Sequence, residues 1–455
     1  MEMDTDSENV GYQRLCTAIK RGDISFVQHL IKSGVPIDKL SNSSLCPLLL
    51  SVVTGRPDIA SLLIEAGAEV NVYTSDFGTP LHVACFNGNL SLVDALLKGG
   101  AEFRVKGPAN QTPLFIAALR GHFKVVKLLS AKGSALDDQD TLGLTALHAA
   151  IIENHEDVAV GLIRAGCGVK KRDSKGNLPI HYAVKNSQIG IIKLLEKAGC
   201  SIDSRNSNFE TPLTLAVLSG NIDCISIILK LGCDVNVSRP DRSTALHTLV
   251  SCCHGNQKFH KILKLLLLAD ADIDAQAFNT LETPLYRAIS LGKPDFAELL
   301  LAYGADMNLS SPFDITALHL AYIKQYYHIA SMMLHCGLIW KRERWIKQIS
   351  TSNCDQSKHF HDNVIAVRNK PQNLVNLCRT SFRKKTRGQL FRILSAMHMT
   401  PKPVKSYLCL SDMWLTSSLC DLDPKDSRLS SDLDEFLADP VSVKIVPRPD
   451  LDYEY

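Results

Sequence analysis

Short strings of one pattern return along this chain at a fixed interval. Thr79-Pro80-Leu81-His82 is followed 33 residues later by Thr112-Pro113-Leu114-Phe115. Thr145-Ala146-Leu147-His148, Leu178-Pro179-Ile180-His181 and Thr211-Pro212-Leu213-Thr214 continue the series at the same spacing. It reaches back through Cys46-Pro47-Leu48-Leu49 to Gln13-Arg14-Leu15-Cys16. It runs forward through Thr244-Ala245-Leu246-His247 and Thr283-Pro284-Leu285-Tyr286 to Thr316-Ala317-Leu318-His319. Ten units result. A unit this small cannot close a core alone, so each apolar face must be covered by the neighbouring unit, and added length adds units rather than a larger core.

The residues of one unit predict its local structure. Threonine at an N-cap satisfies a free amide of the first helical turn, and proline at the next position sacrifices no helical hydrogen bond. Leu81, Ala84 and Cys85 fall on one helical face, with Ala84 allowing close approach of a neighbouring helix. Leu92, Val93, Leu96 and Leu97 supply a second helix to the same core. Gly99 or Gly100 then marks the left-handed end of that helix, and a turn around Phe77-Gly78 leads into a unit's first helix.

This pattern resembles the ankyrin repeat, whose units join a TPLH-like helix start, a second helix and a Gly-Ala-Asp-Val-Asn-like ending. Such endings stand at Gly67-Ala68-Glu69-Val70-Asn71, Gly232-Cys233-Asp234-Val235-Asn236 and Gly304-Ala305-Asp306-Met307-Asn308. The resemblance implies a mainly α solenoid of about ten helix pairs with β-turn or hairpin connections over residues 11–339; the polar, acidic residues 1–10 before it are expected to be disordered. It also implies protein binding through the hairpin tips and the face of the first helices. The candidate target-binding residues are then Asp76, Phe77, Asn110, Gln111, Lys175, Asn208, Phe209, Arg242 and Glu282.

Two features depart from a uniform stack. Between Thr244 and Thr283 the spacing grows by six residues, mostly within Ser251 to Lys258, which predicts an enlarged loop joining that unit's two helices. Insertions in solenoids often serve binding, and equally a lengthened surface loop costs little entropy. The last unit lacks the Ala-Asp-Val-Asn ending and runs through Cys336-Gly337-Leu338 into Trp340, Arg342, Arg344 and Trp345, so residues 340–371 are expected to connect onward and cap the stack.

Histidine recurs at one register position, as His82, His148, His181, His247 and His319. Recurrence argues for a structural role, since a catalyst needs one special constellation rather than five copies. Cys252, Cys253 and His254 come nearest to a metal cluster, but no second ligand pair stands at zinc-finger spacing. With no phosphate loop, nucleophile elbow or paired metal-ligand motif, the chain is expected to be non-catalytic and to need no cofactor.

Beyond the repeats, Leu374, Leu377, Cys378, Ser381 and Phe382 lie on one face of a short amphipathic helix preceded by Pro371 and Asn373. Leu390, Ile393, Leu394 and Met397 repeat the pattern before Pro401-Lys402-Pro403 breaks it. This segment, 372–410, resembles a SOCS box. Its elongin-binding part would use Leu374, Leu377, Cys378 and Phe382, with Asn373 where Ser, Thr or Pro is usual. Its cullin-binding part would use Pro401, Val404, Tyr407 and Leu408, with His398-Met399 in place of the usual Leu-Pro. The resemblance implies elongin B/C and a cullin of the cullin-5 type, with a RING protein, as partners. The function implied is that of a substrate-recognition subunit of a ubiquitin ligase. The alternative is an ankyrin adaptor or signalling scaffold whose C-terminal helices only cap the solenoid.

The remaining features bound the partners and the compartment. A formal charge of +3 over 455 residues gives no global drive toward nucleic acid or acidic membranes. The Arg383-Lys384-Lys385 run reads as a solvated helix face. The polar, acidic N-terminus lacks the cationic start and apolar stretch of a secretory signal, and the apolar run Leu265 to Ala269 is far too short to cross a bilayer. Fourteen cysteines diluted through such a chain read as reduced thiols. The expectation is a soluble intracellular chain, cytoplasmic with the nucleus left open. Its acidic tail, residues 411–455, carries Leu433, Phe436 and Leu437 and is expected to be largely disordered.

Overall fold

Each threonine that opens a unit stands at the N-cap of a helix, and in several repeats its hydroxyl accepts from the backbone amide three residues on. Thr112 accepts from the Phe115 N–H (3.2 Å), Thr211 from Thr214 (3.2 Å) and Thr283 from Tyr286 (3.2 Å). In the second unit Cys46 takes that role through sulfur, accepting from the Leu49 N–H at 3.3 Å. Proline or alanine follows at the first helical position, where no amide partner is lost.

The computed structural model describes residues 3–38, 45–253, 255–278, 280–309, 315–335 and 360–366. Contacts divide the chain into two units, Met1–Asn208 and Phe209–Tyr455. The first holds six helix pairs: α1 (Met3–Arg21) with α2 (Ile24–Lys32), α3 (Pro47–Val53) with α4 (Pro57–Glu65), α5 (Pro80–Asn87) with α6 (Leu90–Lys98), α7 (Pro113–Leu119) with α8 (Phe123–Ala131), α9 (Ala146–Ile152) with α10 (Glu156–Arg164), and α11 (Pro179–Lys185) with α12 (Ile189–Lys197). The second holds four: α13 (Pro212–Ser219) with α14 (Ile222–Lys230), α15 (Ala245–Cys252) with α16 (Asn256–Leu268), α17 (Pro284–Ser290) with α18 (Pro294–Ala302), and α19 (Ala317–Ile323) with α20 (Tyr327–His335).

Within each unit the first helices pack side by side in one layer and the second helices in another. The core lies between the layers. Leu81, Ala84 and Cys85 of α5 and Leu92, Val93 and Leu96 of α6 are all sealed from solvent, as their spacing predicts. Leu97, expected beside them, is only half-buried at the last turn of its helix. Helices of seven to nine residues are unstable alone, so this burial against neighbours is what holds them.

Glycine is required where the chain reverses. Gly100, not Gly99, takes the left-handed conformation after α6 (φ 88°), and Gly78 does so ahead of α5 (φ 73°). A Cβ on Gly78 would meet the His82 ring at 3.1 Å. There the turn closes as an isolated antiparallel bridge, Thr74 with Gly78, through hydrogen bonds of 2.9 and 2.8 Å.

Two expectations are refined. Helix α1 begins at Met3, within the segment 1–10 that was expected to be disordered, because the acidic stretch before Gly11 continues the first helix toward its N-terminus, where negative charge is favoured. The six-residue insertion does not enlarge the loop between α15 and α16. It lengthens α16 to 13 residues, against 9 in α14 and α18. The added turn is held because Phe259 enters the core and stacks on Phe296, with ring centroids 3.9 Å apart and planes 7° from parallel. The Lys293 ammonium meanwhile donates to the carbonyls of Val250 (2.7 Å), Ser251 (3.0 Å) and Cys253 (3.1 Å), closing the C-terminal end of α15.

Beyond α20, the helical residues 360–366 cover the last pair. Phe360 and Val364 are buried, and the Phe360 ring lies 5.4 Å from Tyr322 and 6.1 Å from Tyr327. Asn363 donates to the Ser331 hydroxyl at 3.0 Å.

Candidate protein-binding surface

The tips that join one helix pair to the next are fixed by their neighbours. In the first unit the Thr141 N–H donates to the Ala109 carbonyl (3.0 Å), Ser174 to Leu142 (2.9 Å) and Ser207 to Lys175 (3.0 Å). In the second, the Phe278 N–H donates to Asp241 (2.7 Å). Side chains repeat the same device. Gln139 donates both to its own turn at Gly143 (2.6 Å) and onward to Arg172 (2.7 Å). Arg172, one repeat later, donates to Gly176 (2.6 Å) and onward to Arg205 (2.7 Å).

The unit endings do similar work. The Asn71 side chain accepts from the Glu102 N–H (2.9 Å), and Asn236 accepts from Asp272 (2.8 Å) while donating to the Asp270 carbonyl (2.9 Å). The asparagine of the ending is thus a link to the following repeat. A row of turns held this way is rigid, and side chains at its outer edge are presented at low entropic cost.

The recurring histidines belong to this framework. His82 Nδ1 accepts from the Thr79 N–H (3.1 Å), and its Nε2–H donates to the Gln111 carbonyl in the next turn (3.1 Å). His181 joins Leu178 (3.0 Å) to Ser204 (3.1 Å), and His247 joins Thr244 (3.1 Å) to Glu282 (3.0 Å). His148 accepts from the Thr145 N–H at 3.2 Å. Burial depresses the basicity of His82 and pushes His148 and His247 down to about 4. In His82, His181 and His247 both ring nitrogens are committed, which leaves no lone pair for a metal or a substrate proton, whereas His148 Nε2 is buried without a hydrogen-bond partner among the described residues.

The nine candidate binding residues divide by environment. Asp76, Phe77, Asn110, Lys175, Asn208, Phe209 and Arg242 are exposed. Asn110, Phe209 and Arg242 are presented from left-handed backbone, with φ of 59°, 57° and 57°. Gln111 and Glu282 are half-buried and serve the framework instead. Their carbonyls receive the histidine bonds, and the Glu282 carboxylate also pairs with Arg287 at 3.4 Å. Tip geometry brings Lys175 and Asn208 onto consecutive turns of the first unit. In the second, it brings the Arg242 guanidinium to 5.1 Å from the centroid of the Phe278 ring.

Leu142 (58% exposed) and Phe278 (59% exposed) also stand at the tips and were not among the sequence candidates. Val53 and Phe86 are exposed at the same register on the first helices α3 and α5, and Arg120 lies 4.1 Å from the Phe86 ring centroid. Comparing repeats position by position would have found the first-helix set, since Val53, Phe86, Leu119 and Ile152 succeed one another at 33-residue steps.

The nine cysteines among the described residues are free thiols, and burial pushes Cys85 well up and Cys167 up to about 12, which leaves them protonated and unreactive. His254 lies outside the described residues, and elsewhere among them no three His, Cys, Asp or Glu side chains group as metal ligands. No described helix is long and apolar enough to cross a membrane. Leu374, Leu377, Cys378 and Phe382, and Pro401, Val404, Tyr407 and Leu408, also lie outside the described residues.

The family model described as ankyrin repeats (3 copies) matches residues 15–107, 81–173, 159–239, 180–277 and 246–342. Among solved structures, the chain is similar to the crystal structure of the human ASB11 ankyrin repeat domain. The identity is 26% and the TM-score 0.44, over 48% of this chain and 98% of that one. No curated protein sequence matches. Matched by the family model over most of its length, and built from capped helix pairs whose turns are tied repeat to repeat, the chain belongs to the ankyrin-repeat family of protein-interaction modules.

Proposed function

We propose that this chain is the substrate-recognition subunit of an elongin B/C–cullin–RING ubiquitin ligase. The ankyrin repeats hold the target, and the segment at 372–410 recruits the ligase core. One observation carries the reading: a repeat array is followed, in one chain, by Leu374 and Cys378 at elongin-box spacing and then by the Pro401…Val404…Tyr407-Leu408 series. The chain itself forms and breaks no bond. It brings target lysines close to a charged conjugating enzyme, so transfer gains from effective concentration.

The cover over the last helix pair supports this reading. Phe360 and Val364 already seal α19 and α20, so the amphipathic stripe at Leu374 and Cys378 is not needed for that purpose. A short stripe of this kind suits a groove on another protein, with two anchors one turn apart.

Pull-down with elongin C tests the proposal. The full chain is expected to retain elongin C, and the Leu374→Ser, Cys378→Ser double variant is expected to lose it by at least about tenfold, as for paired anchor residues. Retention by the double variant would reject these anchors and leave an ankyrin adaptor without ligase recruitment.

A further inference from the structure

The hairpin between α10 and α11 reads Lys170-Lys171-Arg172-Asp173-Ser174-Lys175, and the hairpin after α12 adds Arg205. All five cations are exposed. The carboxylate among them faces inward: Asp173 is buried and accepts from the Tyr182 hydroxyl (2.5 Å), the Asn177 N–H (2.7 Å) and the Lys175 N–H (2.9 Å). No ion pair joins Lys170, Lys171, Lys175 or Arg205 to any other described residue. A chain close to neutral overall therefore concentrates positive charge on two adjacent turns.

Arg172 gives this charge a shape. Its NH1 alone makes both bonds to the framework, to Gly176 and Arg205. The guanidinium is held in place while its Nε–NH2 edge makes no bond among the described residues. Such an edge matches a carboxylate in two parallel hydrogen bonds, and fixing it beforehand lowers the entropic cost of using it. Leu142 stands on the preceding turn, tied to this one by the Ser174 bond, and offers an exposed apolar surface beside the cations. Asp137, Asp138 and Asp140 precede Leu142 on its hairpin, and Asp137 accepts from the Gly168 N–H at 2.6 Å, two residues before Lys170. A nucleic acid running past them would meet like charge, whereas a short acidic segment need not reach them.

We infer that the turns at Lys170–Lys175 and Arg205, with Leu142, form the docking surface for a carboxylate-rich segment of the target protein that also carries a bulky apolar side chain. This rests on the repeats being the target-binding part of the chain and is independent of ligase recruitment.

Fluorescence anisotropy on the full chain tests it, with a labelled ten-residue peptide of alternating Glu, Asp and Leu as the probe. The parent chain is expected to bind this peptide and not its Lys-substituted counterpart, and binding should weaken as salt is raised. The Lys171→Glu, Lys175→Glu variant leaves the framework bonds of Arg172 in place and should weaken binding at least about tenfold. Arg172→Lys and Leu142→Ser should each weaken it by about threefold or more.

Failure of the acidic peptide to bind, or equal binding by the charge-reversed variant, overturns the proposal. So does a single-stranded oligonucleotide that displaces the peptide at lower concentration than unlabelled peptide does. A rise of about tenfold or more in peptide affinity when Asp432, Asp434, Glu435 and Asp439 are made neutral amides would assign the surface to the chain's own tail, and would overturn it too. Elongin C pull-down on the same proteins keeps the two readings apart: peptide binding lost from a chain that still retains elongin C touches only the docking surface.

Discussion

A single imidazole decides how one turn meets the next at three of the repeats, through His82, His181 and His247. The sequence identifies these histidines by register, and their recurrence already argues against catalysis. The partners of His82, His181 and His247, however, are backbone carbonyls some twenty to thirty-five residues away, which only the packed structure brings into reach. Burial makes His148 and His247 pH-sensitive. For His148 and His247 the folded-state value is about 4, below the ordinary 6.5, so between these limits the unfolded chain binds more protons. Their contribution is complete above about pH 6.5 and is lost as pH falls toward 4, by at most about 3 kcal/mol each. Urea midpoints between pH 7.5 and 5.5 check this. The parent should lose stability on acidification, and His247→Gln should start less stable and lose less.

At the scale of elements, α16 shows where sequence reading stops. Phe259, Ile262, Leu263, Leu266 and Leu267 share one helical face, so the longer helix was legible in the periodicity. The six extra residues within Ser251 to Lys258 were expected as an enlarged loop instead, because spacing does not reveal that Phe296 waits opposite Phe259. The stack predicts the cost of losing it. Phe259→Ala should destabilise the chain by about 3–5 kcal/mol, as for other large buried aromatics. Ser251→Ala, on an exposed residue of α15, should change little. Denaturant unfolding followed by circular dichroism distinguishes them, and equal midpoints for the two variants would refute the bracing role of the added turn. The tips give a second example: turn chemistry marks them, but of its nine candidates the framework recruits Gln111 and Glu282, and packing exposes Leu142 and Phe278 instead.

For the whole molecule, the cover at residues 360–366 gives a prediction about truncation. Removing residues 372–410 should leave the helical signal and its unfolding midpoint nearly unchanged while abolishing elongin C retention. Collapse of the repeats would instead make that segment part of the solenoid, favouring the adaptor reading. By itself, the sequence determined the period, the number of units, the capped helix starts and the family, because each is set by local chemistry repeated every 33 residues. Tertiary structure alone decided which side chains link the turns, that the added turn of α16 stacks Phe259 on Phe296, and that cations and one leucine from separate repeats share a surface. Those outcomes depend on contacts between residues distant in the chain, and the free energy of such contacts is fixed only when the repeats stack.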